Sequence, residues 1–364
     1  MNRKESEVLE MIRKNPFLSQ QEMADALEMS RPALANLISS LIRQGKIVGR
    51  AYVLPEADTV VCIGGANVDR KFRMEKPAQM GTSNPASVAG SVGGVARNIA
   101  ENLGRLGHSV RLMSIAGVDS EWKMIEEASA PFMDTELTQT VDGCSTGSYT
   151  AILQPDGEMI LAMADMAIYD LLTPDYVARQ EKALMSAGFL VMDLNCPKET
   201  VEYVRAFAKA RQIPLAVIPV SAPKMERLGK ELDGITWLIL NRDEAEQHLN
   251  FSIKSEADWQ KAVERLLDSG VENVVVTNGK EGVMAGNAQG ITHYKAISIS
   301  AVEDVTGAGD AFSSGLVHGI LLGKEFLDIV HFGLVNAART LQSQATVRPE
   351  LTAIQLQKDR EELL

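Results

Sequence analysis

The sequence predicts an α/β protein, an open and mostly parallel sheet with helices on both faces, preceded by a small helical domain. The chain has 364 residues, more than one domain usually contains. From Thr59 onward, short β-rich apolar runs alternate with helical segments, which is typical of a parallel sheet covered by helices. Residues 1–54 show mainly helical periodicity. We therefore predict two domains, over residues 1–55 and 56–364.

The first domain is predicted to be a winged helix-turn-helix. Its three helices are located by the stop signal Asn15-Pro16, the capping box of Ser19 and Glu22, and the cap Ser30 with Pro32 in the first turn. Residues 47–48 and 52–54 are predicted to form the two strands of a wing. Two helices, a short turn and a third helix in the recognition position make up the DNA-binding arrangement.

The charge distribution bears on whether this domain binds DNA. The net charge is −12, and residues 1–54 carry eight basic against six acidic side chains, or +2, so the remainder carries −14. The side chains that can face DNA are Arg31, Asn36, Ser39, Ser40 and Arg43. One copy with so little charge would bind weakly, so we expect a homodimer. The alternative is a docking or dimerisation module that never touches DNA.

The second domain is predicted from its apolar runs. Strands are expected at residues 59–64, 110–116, 188–194, 215–218, 237–240 and 273–277, with helices at residues 95–106, 200–211 and 258–269. Residues 66–90 and 145–164 instead resemble antiparallel ribbons. These ribbons are predicted to form a small β lid over one edge of the sheet.

Composition excludes several classes of protein. Hydrophobic residues make up 45% of the chain, and no uninterrupted apolar run approaches the roughly 18 residues of a membrane helix. The three cysteines, Cys62, Cys144 and Cys196, are widely spaced and form no CxxC pair, so reduced thiols are expected. We expect a cytoplasmic protein with no membrane partner.

The segment from Asp304 to Asp310, DVTGAGD, carries the sharpest chemical signal. Gly307 and Gly309 bracket Ala308 at the start of an apolar helix, where uncovered N–H groups and the helix dipole attract anions. Asp310, in the first helical turn, can accept a proton from an attacking hydroxyl, so the arrangement suits phosphoryl transfer. The alternative is a tight turn followed by a carboxylate that only favours the helix dipole.

Two upstream segments add ligand-binding candidates. Gly93-Gly94 opens a helix that carries Asn98 one turn later, and paired glycines let a ligand approach the backbone. The first strand of the sheet leads into Gly64-Gly65-Ala66-Asn67-Val68-Asp69. Polar groups at the carboxyl ends of strands are where an open α/β sheet binds its ligands.

GGVARN early and DVTGAGD late resemble the two signature motifs of the ribokinase-like, or PfkB, carbohydrate kinases, and the resemblance covers residues 59 to about 350. It implies a ribokinase-like fold, the substrate ATP, Mg²⁺, and a monovalent cation such as K⁺ near Asp304. Asp310 then resembles the catalytic base, and Gly307, Ala308 and Gly309 the anion hole. Asn241 and Glu244 match the element that organises Mg²⁺ and phosphate, largely through water, although an N-cap explains this pair equally well.

The resemblance implies further binding residues. Those expected near ATP are Thr277, Gly279, Gly282 and Asn336. Those expected to bind a sugar are Asn67, Asp69, Gly93, Gly94, Asn98 and Asn195. Tyr149, in the predicted lid, can pack on a base or serve ordinary lid packing.

Within the family, short segments are most similar to pseudouridine kinases, among them Ser83-Asn84-Pro85 and Asp193-Leu194-Asn195. The expected reaction is phosphorylation of the 5′-hydroxyl of a ribosyl compound. Ile218 departs from the Asp or Asn of many relatives, Ala96 replaces a glycine, and residues 117–122 lack a usual glycine. The alternatives are another sugar or nucleoside kinase, and a ligand-responsive DNA-binding regulator whose kinase-like domain only senses.

Overall fold

The computed structural model describes residues 3–15, 17–47 and 56–364. The N-terminal module consists of α1 (Arg3–Lys14), α2 (Gln20–Ala26) and α3 (Arg31–Arg43). Its core contains Val8, Leu34 and Leu41. Ser19 and Glu22 form the predicted capping box, and Ser30 caps α3. The predicted wing strands and the domain boundary fall largely on residues 48–55, outside the described residues.

The α/β part comprises residues 56–364. Its strands are β1 (Glu56–Ile63), β2 (Asn67–Met74), β3 (Ala86–Gly93), β4 (Ser109–Met113), β5 (Ile115–Gly117), β6 (Gln139–Val141), β7 (Ser148–Leu153), β8 (Met159–Asp165), β9 (Ala187–Asp193), β10 (Leu215–Ile218), β11 (Trp237–Asn241), β12 (Asn273–Thr277), β13 (Val283–Asn287) and β14 (Gly290–Tyr294). Its helices are α4 (Val95–Arg105), α5 (Ser120–Ser129), α6 (Pro174–Arg179), α7 (Glu181–Ser186), α8 (Lys198–Arg211), α9 (Arg242–Leu249), α10 (Glu256–Asp268), α11 (Ala308–Leu321), α12 (Phe326–Thr340) and α13 (Ala353–Leu363). The predicted α/β class is confirmed.

The main sheet has the strand order β14-β13-β12-β11-β10-β9-β1-β4. The pairs from β4 to β12 are parallel, whereas β13 and β14 add an antiparallel edge that the sequence analysis missed. In register, Asp193 pairs with Ile218 and Asn241 pairs with Thr277. The carboxyl ends of the parallel strands therefore meet at one edge, which is where such sheets bind ligands.

Both faces of the sheet are covered, because successive β1 side chains point to opposite sides. Val61 and Ile63 pack in a core that includes Val204 of α8 and Val263 of α10. Val60 and Cys62 pack in a second core with side chains of α4, α11 and α12. Continuous burial on both faces explains why the strands read as uninterrupted apolar runs.

The two predicted ribbons form one lid sheet with the order β3-β2-β7-β8. β2–β3 and β7–β8 are antiparallel, as predicted, and a parallel β2–β7 pairing that was not foreseen joins them. This pairing puts Tyr149 directly opposite Asp69. The lid therefore carries Asp69, Lys71 and Tyr149 on one face, since alternate residues of a strand share a face.

The N-terminal module contacts α7 and α8. The Asn15 side chain donates to Glu181 Oε2 at 2.5 Å, and the Tyr203 hydroxyl donates to Glu181 Oε1 at 2.6 Å. Asn15 and Glu181 are both buried. At the edge of this contact, Arg211 approaches Glu22 at 3.4 Å. A buried and hydrogen-bonded carboxylate thus anchors the module to the helices on either side of β9.

Two sequence expectations about composition can be compared with the structure. Cys62, Cys144 and Cys196 all carry free thiols, as expected. Among the described residues, no helix has both the length and the apolar character needed to cross a bilayer.

Candidate active site

The N-terminus of α11 has the form of an anion-binding site. Gly307 is its N-cap residue and has φ +81°, which favours glycine, and a Cβ there would lie 2.2 Å from the Thr346 carbonyl oxygen. A glycine cap has no side chain to accept hydrogen bonds from the first turn. Gly309 is exposed, and a Cβ there would meet open space. The first turn therefore has no side-chain cap, and the space beside Gly309 is open.

Asp310 lies in the first turn of α11 and keeps partial contact with solvent. Its Oδ2 accepts a hydrogen bond from Asn98 Nδ2 at 2.8 Å. Burial raises the pKa of Asp310 to about 7, and the charges of Asp193 and Asp69 act in the same direction, against the hydrogen bond from Asn98. A carboxylate with a pKa near neutrality is suited to accept a proton.

Asp193, at the end of β9, organises the backbone on the other side of the site. Its Oδ2 accepts hydrogen bonds from the N–H groups of Gly65 at 2.9 Å and Ala96 at 3.0 Å. A Cβ at Gly64 would lie 2.2 Å from Asp193 Oδ1. Burial raises the pKa of Asp193, and these hydrogen bonds oppose the rise. The sequence analysis quoted Asp193 but gave it no role, although a carboxylate ending a buried strand was a usable signal.

The predicted sugar binders Asn67, Asp69, Gly93 and Gly94 lie together. Asn67 Nδ2 donates to Asp69 Oδ1 at 2.6 Å, and a Cβ at Gly93 would lie 2.4 Å from Asp69 Oδ2. Gly94 caps α4 with φ +100°. Burial raises the pKa of Asp69, while Lys71 and Asn67 lower it. Asp69 also lines a cavity of about 760 Å³ under the lid.

Asn98 and Asn195 have protein partners that the sequence could not show. Asn98 donates to Asp310, so its amide orients that carboxylate. Asn195 is buried; it donates to Asp193 Oδ2 at 3.1 Å and accepts from Lys224 Nζ. Burial lowers the pKa of Lys224. Lys224 is therefore a polar group of the site that the sequence analysis missed.

Among the residues predicted to lie near ATP, Asn241 and Glu244 form a reciprocal capping box. Asn241 Oδ1 accepts from Glu244 N at 2.9 Å, and Glu244 Oε2 accepts from Asn241 N at 2.8 Å. Burial raises the pKa of Glu244 to about 7. Thr277 is the register partner of Asn241, and the turn that holds Gly279 and Gly282 follows directly. The structure thus brings these predicted ATP-binding residues to one edge.

Asn336 and Ile218 lie in the interior. Asn336 has no exposed surface; its Nδ2 donates to Ala311 O at 2.8 Å and its Oδ1 accepts from Arg348 Nε at 3.3 Å. This burial does not support a contact with a nucleotide, which stays a prediction. Ile218 is buried beside Asp193 and adds no polar group to the site.

Comparison with known families identifies the α/β part. Residues 57–353 match the model of the pfkB family of carbohydrate kinases. The chain belongs to that family. Residues 1–48 match the winged helix-turn-helix DNA-binding family, so the predicted class of the N-terminal module is confirmed. The chain is accordingly a phosphotransferase with a hydroxyl acceptor.

Individual relatives are also carbohydrate or nucleoside kinases. The uncharacterized sugar kinase YeiI of Escherichia coli is 33% identical, over 97% of this chain and 97% of the relative. A pseudouridine kinase of Escherichia coli is 30% identical, over 82% of this chain and 95% of the relative. A solved carbohydrate kinase from Agrobacterium tumefaciens superposes with a TM-score of 0.74 at 31% identity, covering 84% of this chain and 98% of that one.

The raised pKa of Asp310 predicts how this kinase depends on pH. Only the ionised carboxylate can accept a proton, so kcat/KM for the acceptor should fall about tenfold per pH unit below about pH 7 and level off above it. Removing the Asn98 hydrogen bond with Asn98→Ala should move this limb to higher pH. Initial rates between about pH 5 and 9 test the prediction, and a limb near the ordinary carboxyl value of about 4 would contradict it.

Proposed function

We propose that the chain transfers the γ-phosphoryl group of ATP to the 5′-hydroxyl of a ribosyl compound, with pseudouridine as the first candidate. The observation that supports this most is the position of Asp310 beside the uncovered N-terminus of α11, with Asp69 and Asp193 close enough to raise its pKa. A proton acceptor, an anion site and a hydroxyl-binding carboxylate are the parts that such a transfer requires.

In the proposed reaction, Asp69 and Asn67 hold the ribosyl hydroxyls under the lid, and Asp310 accepts the proton of the 5′-hydroxyl. The acceptor oxygen forms a bond to the γ-phosphorus as the bond to the β,γ-bridging oxygen breaks, and ADP leaves. The N–H groups of Gly309 and Asp310 stabilise the charge that develops on the transferred group. Asp310 is therefore the catalytic base of the proposed reaction.

The nucleotide phosphates are proposed to lie toward Asn241, Glu244 and the Thr277 turn. Glu244 uses Oε2 in the capping box, which leaves Oε1 to accept from a metal-bound water. The carboxylate therefore fits the predicted indirect contact with Mg²⁺, which when bound neutralises phosphate charge. Capping and metal support are compatible roles for the same two residues.

Pseudouridine is favoured over other acceptors by two features. One of the relatives described above is a pseudouridine kinase that matches most of this chain. In the structure, Tyr149 stands opposite Asp69 in the lid, where its ring can pack on a base attached to the ribose that Asp69 binds. A free sugar carries no base that could pack on this ring.

A substrate panel with one variant tests the proposed reaction. Wild type should consume ATP with pseudouridine faster than with uridine, ribose or adenosine. Asp310→Asn should lose about 10²- to 10⁴-fold in kcat and still bind ADP, because the change removes the base and keeps the shape of the site. Coupled ADP release measures the rate and calorimetry the binding. Unchanged turnover of the variant would refute the role of Asp310.

We also infer that the N-terminal module binds DNA. Arg31, Asn36 and Arg43 of α3 are exposed, whereas the contact with the α/β part uses Asn15 and Glu22 outside that helix. The recognition helix is therefore accessible while the module is docked. This supports DNA binding by the full chain over a role confined to docking.

Two arginine variants test this second function. Arg31→Ala and Arg43→Ala should each weaken binding to duplex DNA and reduce the slope of log affinity against log salt by about 1, if each contacts one phosphate. Fluorescence anisotropy of labelled random-sequence duplexes over a salt series provides the measurement. Arg265→Ala, in α10 of the α/β part, serves as the control and should leave both quantities unchanged. Equal binding by all four proteins would exclude α3 as the DNA-binding element.

We propose that the homodimer predicted from the sequence forms through the lid. Val88, Phe72, Ile152 and Leu161 are successive register partners across its four strands, so they form an apolar row on the face opposite Asp69. Val88 is 60% exposed and Leu161 is 50% exposed. A continuous apolar row on an exposed sheet suits contact with a second copy.

Leu161→Lys tests the dimer. A charge at the β8 end of the row would be buried without a partner in the interface, so the variant should be monomeric at concentrations where wild type is dimeric. Light scattering after size-exclusion chromatography gives the mass. Ile354→Lys, at a residue of α13 that is 72% exposed, makes the same kind of change and should remain dimeric. Monomeric wild type, or a dimeric Leu161→Lys, would contradict the proposal.

A further inference from the structure

Lys71 joins the lid to the loop that leads into α11. Its Nζ lies 2.8 Å from Asp304 Oδ2 and 3.4 Å from Thr306 Oγ1. Lys71 belongs to β2, and Asp304 lies 233 positions further along the chain, three residues before Gly307. The contact therefore connects two separate parts of the proposed site, the lid and the anion-binding loop.

Asp304 shapes this loop from within. Its Oδ1 accepts hydrogen bonds from Thr306 N at 2.9 Å and from Thr306 Oγ1 at 2.7 Å. Both oxygens of the Asp304 carboxylate therefore accept hydrogen bonds, Oδ1 from Thr306 and Oδ2 from the Lys71 ammonium. The loop thus carries a carboxylate just before the helix N-terminus that is to hold an anion.

An unbalanced charge at that position would oppose the function of the loop. A carboxylate near the N-terminus of α11 repels the negative charge that a transferred phosphoryl group brings. The Lys71 ammonium balances it through a direct ion pair. Lys71 also lies two residues after Asp69 on the same face of β2, so the lid strand that carries Asp69 delivers this positive charge as well.

The family resemblance predicts a free monovalent cation near Asp304, and the contacts of this carboxylate bear on that prediction. Oδ1 is occupied by the two groups of Thr306 and Oδ2 by the Lys71 ammonium. A free cation at this carboxylate would lie beside the Lys71 ammonium, which would repel it. The residues present do not fit an added cation bound by Asp304 beside a closed lid.

We propose that the Lys71 ammonium acts as a built-in monovalent cation, which neutralises Asp304 and holds the anion-binding loop in place when the lid is closed. Lys71 is thus a positioning residue that acts through the loop, and turnover does not require added K⁺. The inference rests on the proposed phosphoryl transfer for its kinetic test, and it has a second test that needs no turnover.

The kinetic test compares Lys71→Met with wild type in potassium chloride and in tetramethylammonium chloride at equal ionic strength. Wild-type turnover of pseudouridine should differ by less than about twofold between the salts. Lys71→Met should lose about tenfold or more in tetramethylammonium and recover at least part of that loss in K⁺. Recovery is expected because the pair is partly exposed, with side-chain exposures of 40% for Lys71 and 29% for Asp304, so a small cation can reach the vacated carboxylate.

A matched control and a test without turnover complete the design. Lys76→Met removes the same charge from the exposed turn after β2 and should behave as wild type in both salts. In the presence of ADP, K⁺ should raise the thermal unfolding midpoint of Lys71→Met relative to tetramethylammonium and leave that of wild type unchanged.

Three results would overturn the inference: strong activation of wild type by K⁺, a salt response of Lys71→Met equal to that of wild type, or loss of function in Lys71→Met that no small cation restores while the protein stays folded. If no acceptor is turned over, the phosphoryl-transfer proposal fails, and the unfolding midpoints still decide the role of Lys71.

Discussion

The site depends on three carboxylates that lie near the carboxyl edge of the main sheet: Asp193, which is fully buried, and Asp69 and Asp310, which are partly buried. Burial raises the pKa of all three, and the charges of Asp193 and Asp69 raise that of Asp310 further. Backbone N–H groups from Gly65 and Ala96 compensate at Asp193, and side-chain amides compensate at Asp69 and Asp310. The glycines follow from this constraint, because a Cβ at Gly64 or Gly93 would overlap a carboxylate. The glycines of these motifs therefore make room for neighbouring carboxylates, in addition to letting a ligand approach the backbone.

The parts of the fold that sequence reasoning predicted are those with a local signal. Buried strands such as β9 and β12 have continuous apolar runs, and the helix caps Ser19 and Ser30 have short-range partners. The parallel β2–β7 pairing has no such signal, because it depends on which segments meet after folding. The Asn336 network was missed for the same reason, since its partners include Asn102, 234 positions away. The Asn15–Glu181 contact, 166 positions apart, is a third example.

The same distinction applies to the site. Asp310 and the Gly307 turn could be found because the chemistry and the local backbone coincide in one short segment. Lys71 and Lys224 could not be found in this way, because their roles depend on contacts with Asp304 and Asn195, which lie far away in the sequence. One signal was available for Lys71, namely its position two residues after Asp69 on a strand predicted to cover the site. A charged residue in phase with a functional carboxylate on a lid strand faces the same cleft.

The N-terminal module docks on helices that also lead to the candidate active site of the α/β part. Glu181 begins α7, which leads into β9, and Tyr203 lies in α8, which begins shortly after Asn195. The module at Asn15 is therefore linked to Asp193 and Asn195 through α7, β9 and α8. Coupling between them requires that a ligand bind the docked arrangement with a different affinity from the undocked one, and any such effect is reciprocal.

Glu244 shows why capping and metal support need not compete. Burial raises its pKa to about 7, so near neutrality the side chain is divided between protonated and ionised forms. The hydrogen bond from Asn241 N favours the ionised form, and a nearby divalent cation would favour it further. In the proposed reaction, a cation that arrives with the nucleotide would favour the charged form of Glu244, whose orientation the cap already fixes. A side chain held by a helix cap loses little conformational entropy when it contacts a hydrated ion. The start of a helix is therefore a suitable place for the proposed contact.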